Sequence, residues 1–228
     1  MKISLVIPCT PAHFENLAPK LDAIVSGTRI PEEIVVSLSN SNHVSSDLIK
    51  TMKEHLLGKV EKFVVLEHLQ KMTHGPNRQS GSEASCGDLL IYQDADDFSH
   101  PQRIEIIEYF FNNHDIVHLN HGWIPPSVKF NNVEKTNISH IKAEDIYNHY
   151  FPNDSFMDCL EVTKAYGGGF AICHAGHTSI LKEVLQKVRW KDWNELVTPA
   201  EDYEFCMEVA YKFKKSMIID VPLVKYVR

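Results

Sequence analysis

Short apolar runs alternate with longer segments of helical periodicity through the first half of the chain. Ile3 to Ile7, Glu33 to Leu38, Val60 to Leu66, Leu89 to Tyr92 and Asp115 to Leu119 read as strands. Several of them are apolar at nearly every position, the pattern of a sheet covered on both faces. Phe14 to Val25 carries apolar residues at helical spacing through Phe14, Leu17, Leu21, Ile24 and Val25, despite Pro19. Ser46 or Asp47 is placed to cap a helix reaching Leu57, and Pro101 to Phe111 sets Ile104, Ile107 and Phe111 on one helical face. Gly75 to Gly81 reads as a loop feeding a short helix over Ser82 to Cys86. Strands separated by helix-length crossovers predict parallel pairing through right-handed β-α-β units.

Beyond Asn120 the pattern weakens. Ser127 to Asp158 is polar with scattered aromatics, which predicts a functional excursion within one domain. Gly167 to His174 brings back core character behind three glycines, and Ser179 to Val188 reads as a helix. Glu201-Asp202 opens another helix, with Phe205, Val209 and Phe213 in register, before a last strand over Met217 to Val221. No internal repeat, low-complexity tract or linker interrupts the 228 residues, so a single domain is expected.

Composition narrows the function classes. A formal charge of −7 argues against broad nucleic-acid binding, which neutralises phosphates with Lys and Arg. Cys9, Cys86, Cys159, Cys173 and Cys206 are scattered, without a Cys-x-x-Cys pair, which predicts reduced thiols and a cytoplasmic location. The run from Ile3 is stopped by Pro8, too short for a signal core or a membrane span, and no later segment is longer. A processive polysaccharide synthase is therefore not expected. The stop at Arg228 leaves open one domain of a longer multidomain chain.

The chemistry concentrates in Gly87 to Asp97. A strand rises about 3.3 Å per residue, so Leu89 to Tyr92 crosses a sheet and delivers Asp94, Asp96 and Asp97 at its carboxyl edge. Open α/β sheets bind ligands at that edge. Carboxylates crowded there repel one another unless a cation compensates, and hard oxygen ligands suit Mg²⁺ or Mn²⁺. The same residues also read as a solvated acidic turn, with Asp97 or Ser99 as N-cap. A Gly-x-Gly-x-x-Gly fingerprint is missing after the first strand, which disfavours a dinucleotide-binding dehydrogenase.

Several features in sequence order resemble the inverting glycosyltransferases of the GT-A fold, in the broad family-2 group. Ile3-Ser4-Leu5-Val6-Ile7-Pro8 is similar to the family's opening strand. Arg78-Gln79-Ser80-Gly81 resembles its Arg-Asn-x-Gly segment, and Asp94-Ala95-Asp96-Asp97 its Asp-x-Asp motif. Glu201-Asp202 resembles its Glu-Asp motif, and Tyr226-Val227-Arg228 its Tyr-x-Arg close.

The resemblance implies an α/β, Rossmann-like GT-A domain with a mainly parallel central sheet flanked by helices. Residues 1–119 would bind the donor, and 120–228 would carry acceptor binding and catalysis. It implies a nucleotide-diphosphate sugar as donor and a glycan or other hydroxyl acceptor. Uridine is the default base, because the region where the family often has a base-reading Asp is here Ser37-Leu38-Ser39-Asn40. By analogy Pro8, Thr10 and Ser39 cradle the base and ribose, and Arg78 approaches the base or diphosphate. Asp94 holds the ribose or a metal-bound water, Ala95 continues that segment, and Asp96 ligates Mn²⁺ or Mg²⁺. Asp202 is the candidate general base, or else a helix N-cap. His174 is a candidate third metal ligand, and His177, Glu201 and Trp193 are candidate acceptor contacts. For the two histidines a packing or surface role stands beside these, as core packing does for Trp190 and Trp193. A nucleotidyltransferase and a non-catalytic nucleotide- or sugar-binding module are the competing readings.

Overall fold

The apolar runs pair into one nine-stranded sheet. A computed structural model describes residues 1–165, 174–198 and 200–227. In chain order the elements are β1 (Ile3–Cys9), α1 (Pro11–Phe14), α2 (Ala18–Val25), β2 (Glu33–Leu38), α3 (Ser46–Leu56) and β3 (Lys62–Glu67). There follow α4 (His74–Ala84), β4 (Leu89–Tyr92), β5 (Phe98–Ser99), α5 (Arg103–Asn113), β6 (His118–Ile124) and β7 (His140–Ile141). The chain continues through α6 (Ala143–Tyr150), α7 (Phe156–Ala165), β8 (Thr178–Leu181), α8 (Glu201–Phe213) and β9 (Ser216–Lys225).

The sheet order is β3-β2-β1-β4-β8-β6-β9-β5, with β7 paired to β9. Strands β1 to β4 run parallel, and β6 runs parallel to β9. Strands β8, β5 and β7 are antiparallel to their neighbours, so the sheet is mostly parallel but mixed.

Strand alternation splits the core in two. Ile3, Leu5 and Ile7 of β1 pack with Leu21 and Ile24 of α2, Ile49 and Met52 of α3, and Ile104 and Ile107 of α5. On the opposite face Val6, Leu90 and Tyr92 meet Ile146 of α6 and Phe205, Cys206 and Val209 of α8. Full burial of one such aliphatic side chain contributes about 1.5–3 kcal/mol. Helix α4 lies close against this second face, because a Cβ on Gly81 would come within 2.8 Å of Val6 Cγ1. At the amino edge Glu33 is buried, accepts from Ser4 Oγ at 2.5 Å and Cys86 N at 2.7 Å, and forms an ion pair with Lys62 Nζ at 2.7 Å. Burial alone would raise that carboxyl, but Lys62, Ser4 and the Cys86 amide outweigh it and hold its pKa at about 2.

Some expectations are corrected. Phe14 to Val25 is not one helix: the chain turns between α1 and α2, and Pro19 sits in the first turn of α2, where a missing N–H costs nothing. Ser45, not Ser46 or Asp47, caps α3, its Oγ accepting from Leu48 N. Gly75 to Gly81 is helical rather than a loop, since Gly75 and Pro76 fall in the first turn of α4. A Cβ at Gly75 would meet Lys191 O at 1.9 Å, so that glycine serves close packing rather than a turn. Ser179 to Val188 is not a helix. Thr178 to Leu181 form β8, wedged between β4 and β6, where ladder bonds satisfy a buried backbone, and a short 3₁₀ turn follows. The strand expected over Asp115 to Leu119 starts later and runs further, as β6 from His118 to Ile124. The Gly167–Cys173 stretch lies outside the described residues. Among the described residues no helix is long and apolar enough to cross a membrane.

Candidate active site

A cavity of about 280 Å³ opens at the carboxyl edge of β1 and β4. Pro8, Cys9 and Thr10 enter it from the end of β1, and His13 from α1. Met72, His74, Asn77 and Arg78 come from α4 and its approach. Asp94, Ala95 and Asp96 follow β4, His174 and Ala175 precede β8, Glu201 and Asp202 open α8, and Tyr226 follows β9. The structure thus brings Pro8, Thr10, Arg78, Asp94, Ala95, Asp96, His174, Glu201 and Asp202 to one place.

Arg78 is the mechanical centre. It is 4% exposed, donates Nη2 to Asp94 Oδ1 at 2.8 Å and Nη1 to Glu201 Oε1 at 3.1 Å, and lies over the Trp190 ring at 5.3 Å. Burial works against its charge, but Asp94 and Glu201 outweigh that and raise its pKa. The same pairing governs the acids. Burial would lift Asp94, yet Arg78 first and His174 next bring it down to about 2. Glu201 is likewise brought to about 2, against burial, by a hydrogen bond from His74 and the charge of Arg78. Both terminal nitrogens of Arg78 are therefore engaged with protein carboxylates. In this arrangement it clamps β4 to α8 and is not a free cation for a ligand.

Asp202 has the opposite environment. Its Oδ1 accepts from Tyr203 N at 2.8 Å, and burial, Cys206 and the neighbouring Glu201 raise its pKa. One acid is thus fixed as an ion-pair partner and the next is shifted toward proton uptake. Environments that push two adjacent carboxyls apart are how sites separate structural from acid–base roles.

Asp94, Asp96 and His174 share one wall without forming a ligand cluster. Asp94 is committed to Arg78, and His174 Nδ1 accepts from Gly176 N at 3.2 Å while lying 3.7 Å from Asp94 Oδ2. Among the described residues Asp96 makes no side-chain hydrogen bond or ion pair, and no group of three or more His, Cys, Asp or Glu is arranged to hold an ion. A Cβ at Gly176 would lie 2.8 Å from Asp94 Oδ2, so that glycine lets the backbone close over the acid.

Other candidates sit elsewhere. Asp97 turns inward: it is 0% exposed, accepts from Val227 N at 2.9 Å through Oδ1, and burial pushes its carboxyl to about 7. His177 is buried behind His174, and burial, His174 and Arg103 bring its pKa to about 2. Ser39 supports the wall from behind, accepting from Met72 N at 2.8 Å. Trp193 is 52% exposed and outside the lining, while Trp190 is core, stacked on Phe205 at 3.8 Å. His13, Met72, His74, Asn77 and Tyr226 line the cavity without having been singled out as site residues. His74, Asn77 and Arg78 stand at helical spacing, a signal hidden once Gly75-Pro76 was read as loop. Arg103 was also missed. Buried and reaching Tyr92 O at 2.6 Å and Gly176 O at 2.8 Å, it fixes the β4 end to the His174 turn.

Among curated protein sequences, nothing matches this chain. The family model described as Glycosyl transferase family 2 matches residues 4–188. Among solved structures, S. aureus TarS 1–349 superposes with a TM-score of 0.68 at 14% identity, covering 100% of this chain and 60% of that one. TarS 1–349 in complex with UDP-GlcNAc gives 0.65 at 13%, covering 100% and 59%. Glucosyl-3-phosphoglycerate synthase from Mycobacterium tuberculosis, in complex with Mn²⁺, UDP and glucosyl-3-phosphoglycerate, gives 0.58 at 12%, covering 100% and 72%. At these identities the likeness is one of fold. The chain spans about 60% of the length of that TarS structure.

Proposed function

This chain belongs to glycosyl transferase family 2, and we propose that it moves a sugar from a nucleoside-diphosphate donor to a hydroxyl acceptor, with inversion. The observation that carries the reading is the split Glu201–Asp202 pair facing the same cavity as Asp96. Asp202, with its raised pKa, takes the proton of the acceptor hydroxyl as that oxygen attacks the anomeric carbon. Attack opposite the leaving diphosphate inverts the centre in one displacement. Glu201 and Arg78 do not exchange protons; they hold Asp202 and Asp94 at a fixed separation.

Asp94, Asp96, Glu201 and Asp202 line the cavity against one guanidinium that is already paired, so a diphosphate needs added positive charge there. Asp96 is the residue that would hold Mn²⁺ or Mg²⁺, since Mg²⁺ is typically bound through one or two carboxylates plus substrate phosphates. When bound, such an ion offsets the charge that gathers on the departing diphosphate. His174 would join only by giving up the bond from Gly176 N, because Nδ1 holds that amide and the tautomer that frees Nε2 carries its proton on Nδ1. Pro8 and Thr10 line the side assigned to base and ribose, and Ser39 backs that wall. UDP is the first donor to test, because TarS and the mycobacterial synthase were solved with UDP-containing ligands. On this reading residues 1–119 serve the donor and 120–228 the acceptor. The thiols of Cys9 and Cys86, unbridged among the described residues, suit a cytoplasmic location.

The test is a panel of UDP-, GDP- and dTDP-sugars scored by thermal stabilisation with Mn²⁺ and with chelator. Binding at a hundredfold excess over Kd adds about 2.7 kcal/mol of stability. Stabilisation by one nucleotide sugar, lost in chelator and in Asp96→Ala, is expected. Equal stabilisation in chelator after metal stripping removes the metal from the reading. Retention at the anomeric centre, read by NMR, removes single displacement.

A further inference from the structure

A line of aromatic rings runs from the core to the surface past the cavity. His121 stacks on His177 at 5.3 Å, His177 on His174 at 4.3 Å, and His174 meets the edge of Tyr226 at 4.7 Å. Tyr226 then packs at 5.4 Å against Trp123, which is 36% exposed. Tyr226 lines the same cavity as Asp202. Trp123 is carried to its side by the pairing of β6 with β9, whose register slips on both sides of Gly122. Such irregularities turn a strand locally and re-aim its side chains. His118 to His121 stay buried before the slips, and Trp123 emerges after them.

We propose that Trp123 and Tyr226 form the platform on which the sugar ring of the acceptor stacks, so that the acceptor is a neutral glycoside; the inference rests on the glycosyltransfer reading above. Pyranose rings present apolar C–H faces; the exposed Trp123 indole offers such a face its own flat ring, and Tyr226, tilted 57° to it, closes one side with a polar tip. Charge argues against an anionic acceptor. Among the described residues the lining holds Asp94, Asp96, Glu201 and Asp202, no lysine, and an arginine already paired. Lys225, the lysine nearest in sequence to Tyr226, lies over Phe130 at 5.1 Å, among the residues of a separate groove with Phe98. Neither Trp123 nor Trp193 is in the lining itself, but Trp123 packs on Tyr226, which is, and so extends the cavity wall outward.

The experiment uses the whole chain with UDP and Mn²⁺, and probes cellobiose, lactose and N,N′-diacetylchitobiose against 3-phosphoglycerate by saturation-transfer NMR. At least one disaccharide is expected to receive saturation on the C–H protons of one ring face. Trp123→Ala should weaken that binding roughly five- to tenfold, the range an aromatic contact supplies, with Trp123→Phe recovering part of it. UDP binding and the melting temperature should be unchanged. Saturation unaltered in Trp123→Ala, lost instead in Trp193→Ala, or confined to 3-phosphoglycerate overturns the platform while UDP binding keeps the transfer reading. Failure of UDP and every nucleotide sugar to bind the unaltered chain removes that reading, and the platform with it.

Discussion

Glu201 and Asp202 are neighbours in the chain with opposite electrostatics. The first is held near 2 by His74 and Arg78; the second is raised by burial, Cys206 and Glu201. A carboxyl with a raised pKa loses its capacity as a base as pH falls through that pKa. The acid limb of the turnover profile should therefore lie at higher pH than an unperturbed aspartate would put it. Asp202→Asn keeps the shape but cannot take a proton, and a positioned base contributes roughly 10²–10⁴-fold. Transfer should fall by that order with the acid limb gone and donor affinity kept. Near-normal turnover with a lowered melting temperature would make Asp202 a residue that steadies the first turn of α8, where Ala200 and not Asp202 is the N-cap. The motif was legible in the sequence. The division of labour was not, because it depends on Arg78, which stands 123 positions from Glu201.

At the scale of elements, Arg78 joins α4, the end of β4 and the start of α8, and among the described residues its Nε has no hydrogen-bond partner. Removing one partner of a buried ion pair strands the others, at a cost of about 3–5 kcal/mol. Arg78→Met should lose stability of that order in urea denaturation, and Arg78→Met with Glu201→Gln should lose less than the sum of the two. A loss of donor affinity with unchanged stability would return Arg78 to ligand binding. The amino edge has its own test. Glu33 has a depressed pKa, so its contribution is complete above 4.5 and fades as pH falls toward about 2. Glu33→Gln should cost about 2–3 kcal/mol at pH 7 through lost charged hydrogen bonds, and clearly less at pH 3. Apolar runs made β1, β2 and β4 readable, because burial on both faces leaves no other pattern. Helix α4 and strand β8 were misread, since Gly75-Pro76 mimics a turn and Thr178 to Leu181 is too short to carry a period.

For the whole molecule, the proposed division of labour at residue 119 does not mark a mechanical boundary. Strand β8 from the second part sits between β4 and β6, so both parts share one sheet. Cutting between them would bare β4, whose residues are all buried. Unfolding should then be one cooperative transition. All 3 tryptophans, Trp123, Trp190 and Trp193, lie in the second part. Their fluorescence should therefore change together with the far-UV circular dichroism of the whole chain. Two separated midpoints would mean two independent domains. The family and sheet class were legible from motif order. The sheet's full order was not, because the antiparallel insertion of β8 depends on long-range pairing that no local pattern encodes.

The acidic lining has a further consequence, for inhibitor chemistry. Arg78 is spent on Asp94 and Glu201, which leaves Asp96 and Asp202 facing the cavity without a guanidinium of their own. A nucleoside carrying an ammonium-bearing spacer in place of its diphosphate brings the missing charge itself. Such a compound should hold its affinity in chelator, where UDP loses it, and gain as Asp202 ionises with rising pH.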